Sequence, residues 1–235
     1  MTPNSLLLCL DTSDGAAVAV LSAGRILAAA RSDDPRRHVE NLTPLIVGCL
    51  QSCGLEASDV SAIAVGTGPA PFTGLRVGLV TARLFAQARE VPVHGVSSLD
   101  AIAAAALEDA AGGAEVLVTT DARRREVYWG RYRREESAGV HIVAGPGVAA
   151  AAQVAADHED LVRAGSVVGR GLALYPDELA AQVSDPARAG AAVVDPAWLG
   201  RLALQRAEAG VAQPTDALYL RRPDVHVAAG QPTGR

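Results

Sequence analysis

Two short stretches, Leu6-Leu7-Leu8-Cys9-Leu10-Asp11 and Val116-Leu117-Val118-Thr119-Thr120-Asp121, share one layout. Each is an apolar run suited to a strand buried on both faces, and each ends in an aspartate followed by a polar break. After the first come an apolar run at Ala16–Leu21, a turn at Ser22-Ala23-Gly24 and a further strand at Arg25–Arg31, which reads as a three-stranded meander. Residues 36–53 carry a helical stripe of Val39, Leu42, Ile46, Cys49 and Cys53. Pro44 lies inside it, so this helix is either kinked or begins with Thr43 as its cap. A strand at Val60–Val65, a helix from Thr73 to about Glu90 capped by Thr73, a strand at Val91–Val96 and an alanine-rich helix capped by Ser97 or Ser98 follow. The first half thus reads βββαβαβα.

The second stretch opens a similar series. Glu126–Tyr132 is its alternating partner strand, with shorter strands at Ser166–Val168 and Ala191–Val194 and helices near 172–183 and 196–209. The repetition predicts an α/β protein of two similar lobes, each a mixed βββαβα sheet with helices on both faces. The boundary falls near Ala111-Gly112-Gly113, which divides the chain into 1–111 and 112–235, and the last ten or so residues are expected to fray.

The 235 residues are 49% hydrophobic but only 3% aromatic, so the cores must be packed from small side chains. A net charge of −5 argues against nucleic-acid binding driven by a broad basic field. The N-terminus has no positive flank and its apolar run is too short for a signal peptide, and no stretch reaches a membrane span of roughly 18 residues. Three cysteines argue against a disulfide framework, and Cys49 and Cys53 read as core thiols rather than a zinc pair. The expectation is a soluble, cytoplasmic protein.

In two facing lobes, Asp11 and Asp121 would look across a cleft, as the carboxylates of actin-like kinases and ATPases do around a magnesium-bound phosphate. The alternative is that each caps a turn. Thr12, Ser13 and Gly15 favour a phosphate loop at the first aspartate. At the second, Ala122-Arg123-Arg124-Arg125 supplies no glycine where a backbone must approach a phosphate. Gly169-Arg170-Gly171 could face an adenosine or be a tight turn. The segment Gly66–Gly78 is neither a Walker loop nor a dinucleotide fingerprint. Its helix carries Gly74, Gly78, Ala82 and Ala86 at four-residue spacing, a stripe that allows close approach either of the chain's own sheet or of another subunit. The five histidines are scattered and none has a second at i+4.

The segments Leu8–Ser13, Arg37-His38-Val39-Glu40, Gly68–Gly78, Val93–Leu99, Asp121–Tyr128 and Tyr219-Leu220-Arg221 together resemble the TsaB (YeaZ) family. The likeness covers most of the chain and weakens between about 135 and 210. Ala70 and Pro71 depart from the commoner Gly and Ser, which stiffens the loop and makes it a poorer phosphate cradle. The resemblance implies the two-lobed actin-like ATPase (ASKHA, RNase H-like) fold. It implies a non-catalytic partner of TsaD, the transferase that makes threonylcarbamoyladenosine at position 37 of tRNAs reading ANN codons, with a TsaE-like ATPase docking near the junction. TsaD binds a metal through two histidines four residues apart. Ser98 and Ile102 stand at those places here, so no metal, no cofactor and no catalytic residue is expected. The partner face, for TsaD or for a second copy of the chain, would comprise His38, Leu42, Ile46, Phe72, Gly74, Gly78, Ala82 and Phe85. Asp11, Thr12, Ser13, Asp121, Gly169 and Gly171 would be a vestigial nucleotide cleft, and tRNA would be met only within the complex, away from any membrane. An ATPase or kinase with its own magnesium-nucleotide site, or a metalloprotease, are the competing readings.

Overall fold

The computed structural model describes residues 6–32, 38–135, 139–180, 182–183, 189 and 192–221, and the expected frayed C-terminus lies outside them. The first sheet contains β1 (Leu6–Asp11), β2 (Ala16–Ser22), β3 (Arg25–Ser32), β4 (Val60–Gly66) and β5 (Val93–Val96) in the order β3-β2-β1-β4-β5. The first three strands are antiparallel; β4 and β5 continue in parallel, with Leu8 opposite both Val20 and Ile63.

The period-two geometry of β1 divides its side chains between two cores. Leu8 and Leu10 point with Val18, Val20, Ile63 and Val65 into a layer covered by α1 (His38–Ser52) and α2 (Phe72–Arg89). Leu7 and Cys9 point with Ala19, Leu21, Ala62 and Ala64 to the opposite face, under α3 (Ser98–Ala106) and a helix at Pro196–Glu208. The small-residue core expected from composition is concentrated there. At Gly200, in the second of these helices, a Cβ would come within 2.6 Å of the Cys9 sulfur.

The second sheet has β6 (Glu115–Asp121), β7 (Glu126–Arg134), β8 (Val140–Ala150) and β9 (Val167–Val168) in the order β8-β7-β6-β9. Its outer core is closed by α4 (Ala151–Asp157), α5 (Glu159–Arg163), α6 (Arg170–Leu174) and α7 (Pro176–Leu179). The helix Pro196–Glu208 is α8, opened by Asp195, whose carboxylate accepts from the Ala197 N–H at 2.8 Å.

Several expectations are corrected. The helix α1 begins at His38 and runs through Pro44 rather than starting at Thr43. The proline lies on the exposed side and forfeits one ladder bond there, while Leu42, Ile46, Cys49 and Leu50 are buried on the other. Cys53 lies beyond α1, partly exposed, and is not a core thiol. Pro71 occupies the cap position of α2, which has no side-chain cap, and Thr73 lies inside the helix. Residues 192–194 form no strand, and the expected helix at 172–183 is two short ones. The long strand β8 and the helices α4 and α5 were not foreseen.

Residues 196–221, assigned from sequence to the second lobe, lie against the first sheet. After α8 the chain runs as a strap, in which Gln213 C=O accepts from Gly95 N–H at 3.0 Å and Leu218 N–H donates to Thr67 C=O at 2.8 Å. Among the described residues no helix is long and apolar enough to cross a membrane.

Candidate functional site: the interlobe cleft and the outer face of the paired helices

The cleft is built at the ends of β1 and β6. Asp11 is 2% exposed, and among the described residues its carboxylate accepts hydrogen bonds from Ser13 and Ser98. Ser13 donates its N–H to Oδ1 at 2.9 Å and its hydroxyl to the same oxygen; Ser98, on α3, donates to Oδ2 at 2.7 Å. Burial pushes the Asp11 carboxyl above the ordinary carboxylate range, and the hydrogen bonds from Ser13 and Ser98 with the Arg31 charge pull it part of the way back. Thr12, also buried, donates to Gly74 C=O at 2.8 Å and accepts from Gly78 N–H at 3.2 Å, so one hydroxyl ties the end of β1 into the first turns of α2.

Asp121, in the second lobe, is turned to its own loop: its Oδ1 accepts from Arg123 N–H at 2.7 Å and its Oδ2 pairs with the Arg123 guanidinium at 2.9 Å. Arg123, Arg124 and Arg125 all have positive φ, of 65°, 53° and 62°. Three arginines therefore adopt the left-handed backbone that glycine takes most readily, at a steric cost of roughly 1–2 kcal/mol per residue. Gly169 and Gly171 are packing residues: a Cβ at Gly171 would meet the Thr119 side chain at 2.7 Å, and Gly169, at φ +100°, lies against the Thr119 carbonyl. This is the tight-turn alternative rather than an adenosine seat.

Between the lobes Asp14 bridges to Arg170 at 2.6 Å. The cavity there, lined by Ser13, Pro71, Ser98, Asp121, Arg123 and Arg170 among others, has about 100 Å³. A second cavity of about 650 Å³ adjoins it and shares Ile102, Ala192 and Val193.

A metal of the kind held by paired imidazoles does not fit. The Ser98 hydroxyl is committed to Asp11 and Ile102 has only carbon to offer. Among the described residues no three His, Cys, Asp or Glu side chains gather into a candidate metal site.

The stripe on α2 faces inward. Gly74, Gly78 and Ala82 are buried, as are Leu42 and Ile46 on α1, and Leu42, Ile46 and Ala82 belong to the first lobe's own core. A Cβ at Gly78 would overlap the Thr12 hydroxyl. These five are therefore corrected from partner-facing to internal: the small residues let α2 approach the end of β1, not a second chain. Phe85 is half-buried against the same core, and the side chain of His38 lies outside the described residues.

What α1 and α2 leave outside is different. Val47, Val80 and Leu84 are 45%, 52% and 61% exposed, Val80 and Leu84 one turn apart on α2. Beside them Phe72, Thr73, Arg76, Val77, Val80 and Thr81 line a surface groove of about 410 Å³. The strap borders it: the Tyr219 ring stacks on Phe72 at 4.2 Å between centroids, Arg76 lies over both rings and donates to the Tyr219 hydroxyl at 2.9 Å, and Arg83 binds Thr215. Arg76, Ser98, Arg170 and Tyr219 were not singled out as site residues. Tyr219 sits inside a segment that resembled the family, but a pairing across 143 residues leaves no local signal.

A two-lobed α/β protein with an aspartate at the end of a central strand in each lobe has the architecture of the actin-like class. A family model described as "TsaD: tRNA N6-adenosine threonylcarbamoyltransferase" matches residues 32–181. An uncharacterized protein of Mycobacterium leprae is 40% identical over 228 residues, covering 94% of this chain and 56% of that protein. The tRNA threonylcarbamoyladenosine biosynthesis protein TsaB of Escherichia coli is 39% identical over 103 residues, 44% of each chain. Among solved structures, YeaZ from Pseudomonas aeruginosa superposes with a TM-score of 0.75 at 28% identity, covering 92% of this chain and all of that one. The chain belongs to the TsaD family, in its TsaB (YeaZ) branch. It spans about half the length of the curated relatives it matches.

Proposed function

We propose that the chain is a non-catalytic subunit of the machinery that places the threonylcarbamoyl group on adenosine 37 of tRNAs reading ANN codons. The observation that carries this is at α3: Ser98 hydrogen-bonds Asp11 and Ile102 offers no donor, at the two places where the catalytic relative has metal-binding imidazoles. Without those ligands neither a transferase nor a metalloprotease centre can be assembled there. The rival kinase reading needs nucleotide between Asp11 and Asp121, whereas Asp11 is engaged by Ser13 and Ser98 and Asp121 by Arg123. In this reading residues 1–111 form the lobe that carries the partner helices and the second lobe begins at 112, with α8 and the strap (196–221) returning to the first sheet.

The working partner is a TsaD-like catalytic subunit, with a TsaE-like ATPase at the junction and tRNA engaged by the assembled complex in the cytoplasm. The contact is made by the outer side of α1 and α2, through Val47, Val80 and Leu84, and when alone a second copy of the chain competes for it. Exposed apolar residues one turn apart, beside an aromatic-lined groove, are what a helix-on-helix interface needs. Size-exclusion chromatography of the chain with the catalytic subunit tests it. Leu84→Arg, at a solvent-facing position, is expected to leave the monomer folded and to weaken co-elution about tenfold or more. Undiminished co-elution would remove this face from the account.

A further inference from the structure

The loop between β6 and β7 has no task in the pairing just described. Arg123, Arg124 and Arg125 form one left-handed turn, all three exposed, and the Arg123 side chain is 64% exposed. Two more guanidinium groups reach the same place from other elements. Arg221, from the strap, donates to Ala122 C=O at 2.7 Å and pairs with Glu126; Arg170, at the start of α6, lines the cavity beside Arg123. Among the described residues Asp14, Asp121 and Glu126 pair with Arg170, Arg123 and Arg221, so the tip gathers five arginines on a chain whose net charge is −5.

From this we infer that the loop is a contact for the phosphodiester backbone of RNA, an assignment that rests on the proposed role in tRNA modification. The planar fork of arginine matches phosphate oxygens two at a time, and successive arginines meet a polymer that repeats its anion. The loop itself exposes no apolar residue, since Ala122 is buried, so it lacks the apolar centre of a protein interface and has the composition of a backbone-reading one. Three residues held at positive φ keep the charges on a short, preorganised tip rather than on a loose arm.

The test is a salt titration of binding between unmodified tRNA and the complex of the chain with its catalytic subunit. Replacing the three arginines together by glutamine (R123Q/R124Q/R125Q) is expected to lower affinity about tenfold to a hundredfold. The slope of log K against log salt should fall by about two, since each neutralised phosphate contributes about 0.7–0.9. R125Q alone should lower the slope by a little under one, and the triple lysine variant should retain it. Unchanged affinity and slope in the glutamine variants, with the wild-type complex binding tRNA, would overturn this inference alone. Retained tRNA binding with loss of the ATPase subunit would overturn it in favour of an acidic protein surface. Failure of the wild-type chain to pair, or of the wild-type complex to bind tRNA, would overturn the proposed function and this inference with it.

Discussion

Asp11, at the end of β1, is tied into the fold by hydrogen bonds from Ser13 and Ser98. Its carboxylate sits under Gly66, where a Cβ would collide with it, and its hydrogen bonds join β1 to α3 across 87 residues. Because burial raises its folded-state pKa above the unfolded value near 3.9, the folded chain binds this proton more tightly than the unfolded one. Its contribution to stability is therefore greatest below that value, falls as pH rises toward the folded pKa, and is constant above it. Asp11→Asn keeps an acceptor for Ser13 and removes the titration. Urea unfolding from pH 4 to 7 should show the variant gaining on the wild type as pH rises, a difference that separates Asp11 from Glu115 and Asp160. Their carboxyls are held low, and they act in the opposite direction: Glu115 because hydrogen bonds from Arg133 and Arg131 outweigh its burial, Asp160 through its hydrogen bonds from Arg131. Parallel pH profiles would refute the assignment. The aspartate itself was legible in the sequence, as the end of an apolar run; its serine partner was not, because α3 reaches it only through the parallel crossover.

At the scale of elements, α2 carries two faces that the sequence alone could not rank. Glycine and alanine at four-residue spacing mark close approach, but the identity of what approaches depends on Thr12, 62 residues from Gly74. Gly78→Ala places a methyl group on that hydroxyl and should cost about 1–3 kcal/mol of unfolding free energy. Gly48→Ala in α1 meets nothing within 4 Å and should instead stabilise the chain by about 0.5–1 kcal/mol. Denaturant midpoints of the two variants in the isolated chain decide the matter, and equal effects would contradict the inward orientation of the α2 stripe. Other elements were hidden for reasons of their own. The strand β8 contains Gly145-Pro146-Gly147, residue types that weaken strands; it is an edge strand whose ladder shifts register opposite Trp129 and Arg131, and an edge tolerates proline. Pro44 leaves open a helix start or a helix continuing through it, and burial of four neighbours carries α1 through.

The molecule as a whole was legible in its duplication, from two strands that each end in aspartate, and in its two-faced first sheet. Its lacing was not. The return of α8 and the strap to the first sheet follows from small residues meeting across the chain, as at Gly200 against Cys9, and such complementarity has no local periodicity. The lobes are joined by Asp100, which accepts from the Tyr132 hydroxyl at 2.9 Å and from Arg206 at 2.6 Å, together with the Asp14–Arg170 bridge. Under the proposed function this lacing holds the surface offered to the partner, and the chemistry belongs to that partner. Reconstituted threonylcarbamoylation of an ANN-reading tRNA tests that division of labour most directly. The account predicts no modified adenosine from the chain alone, and modification by the catalytic and ATPase subunits only when the chain is added. Modified tRNA from the chain by itself, or full activity of the other subunits without it, would contradict the account.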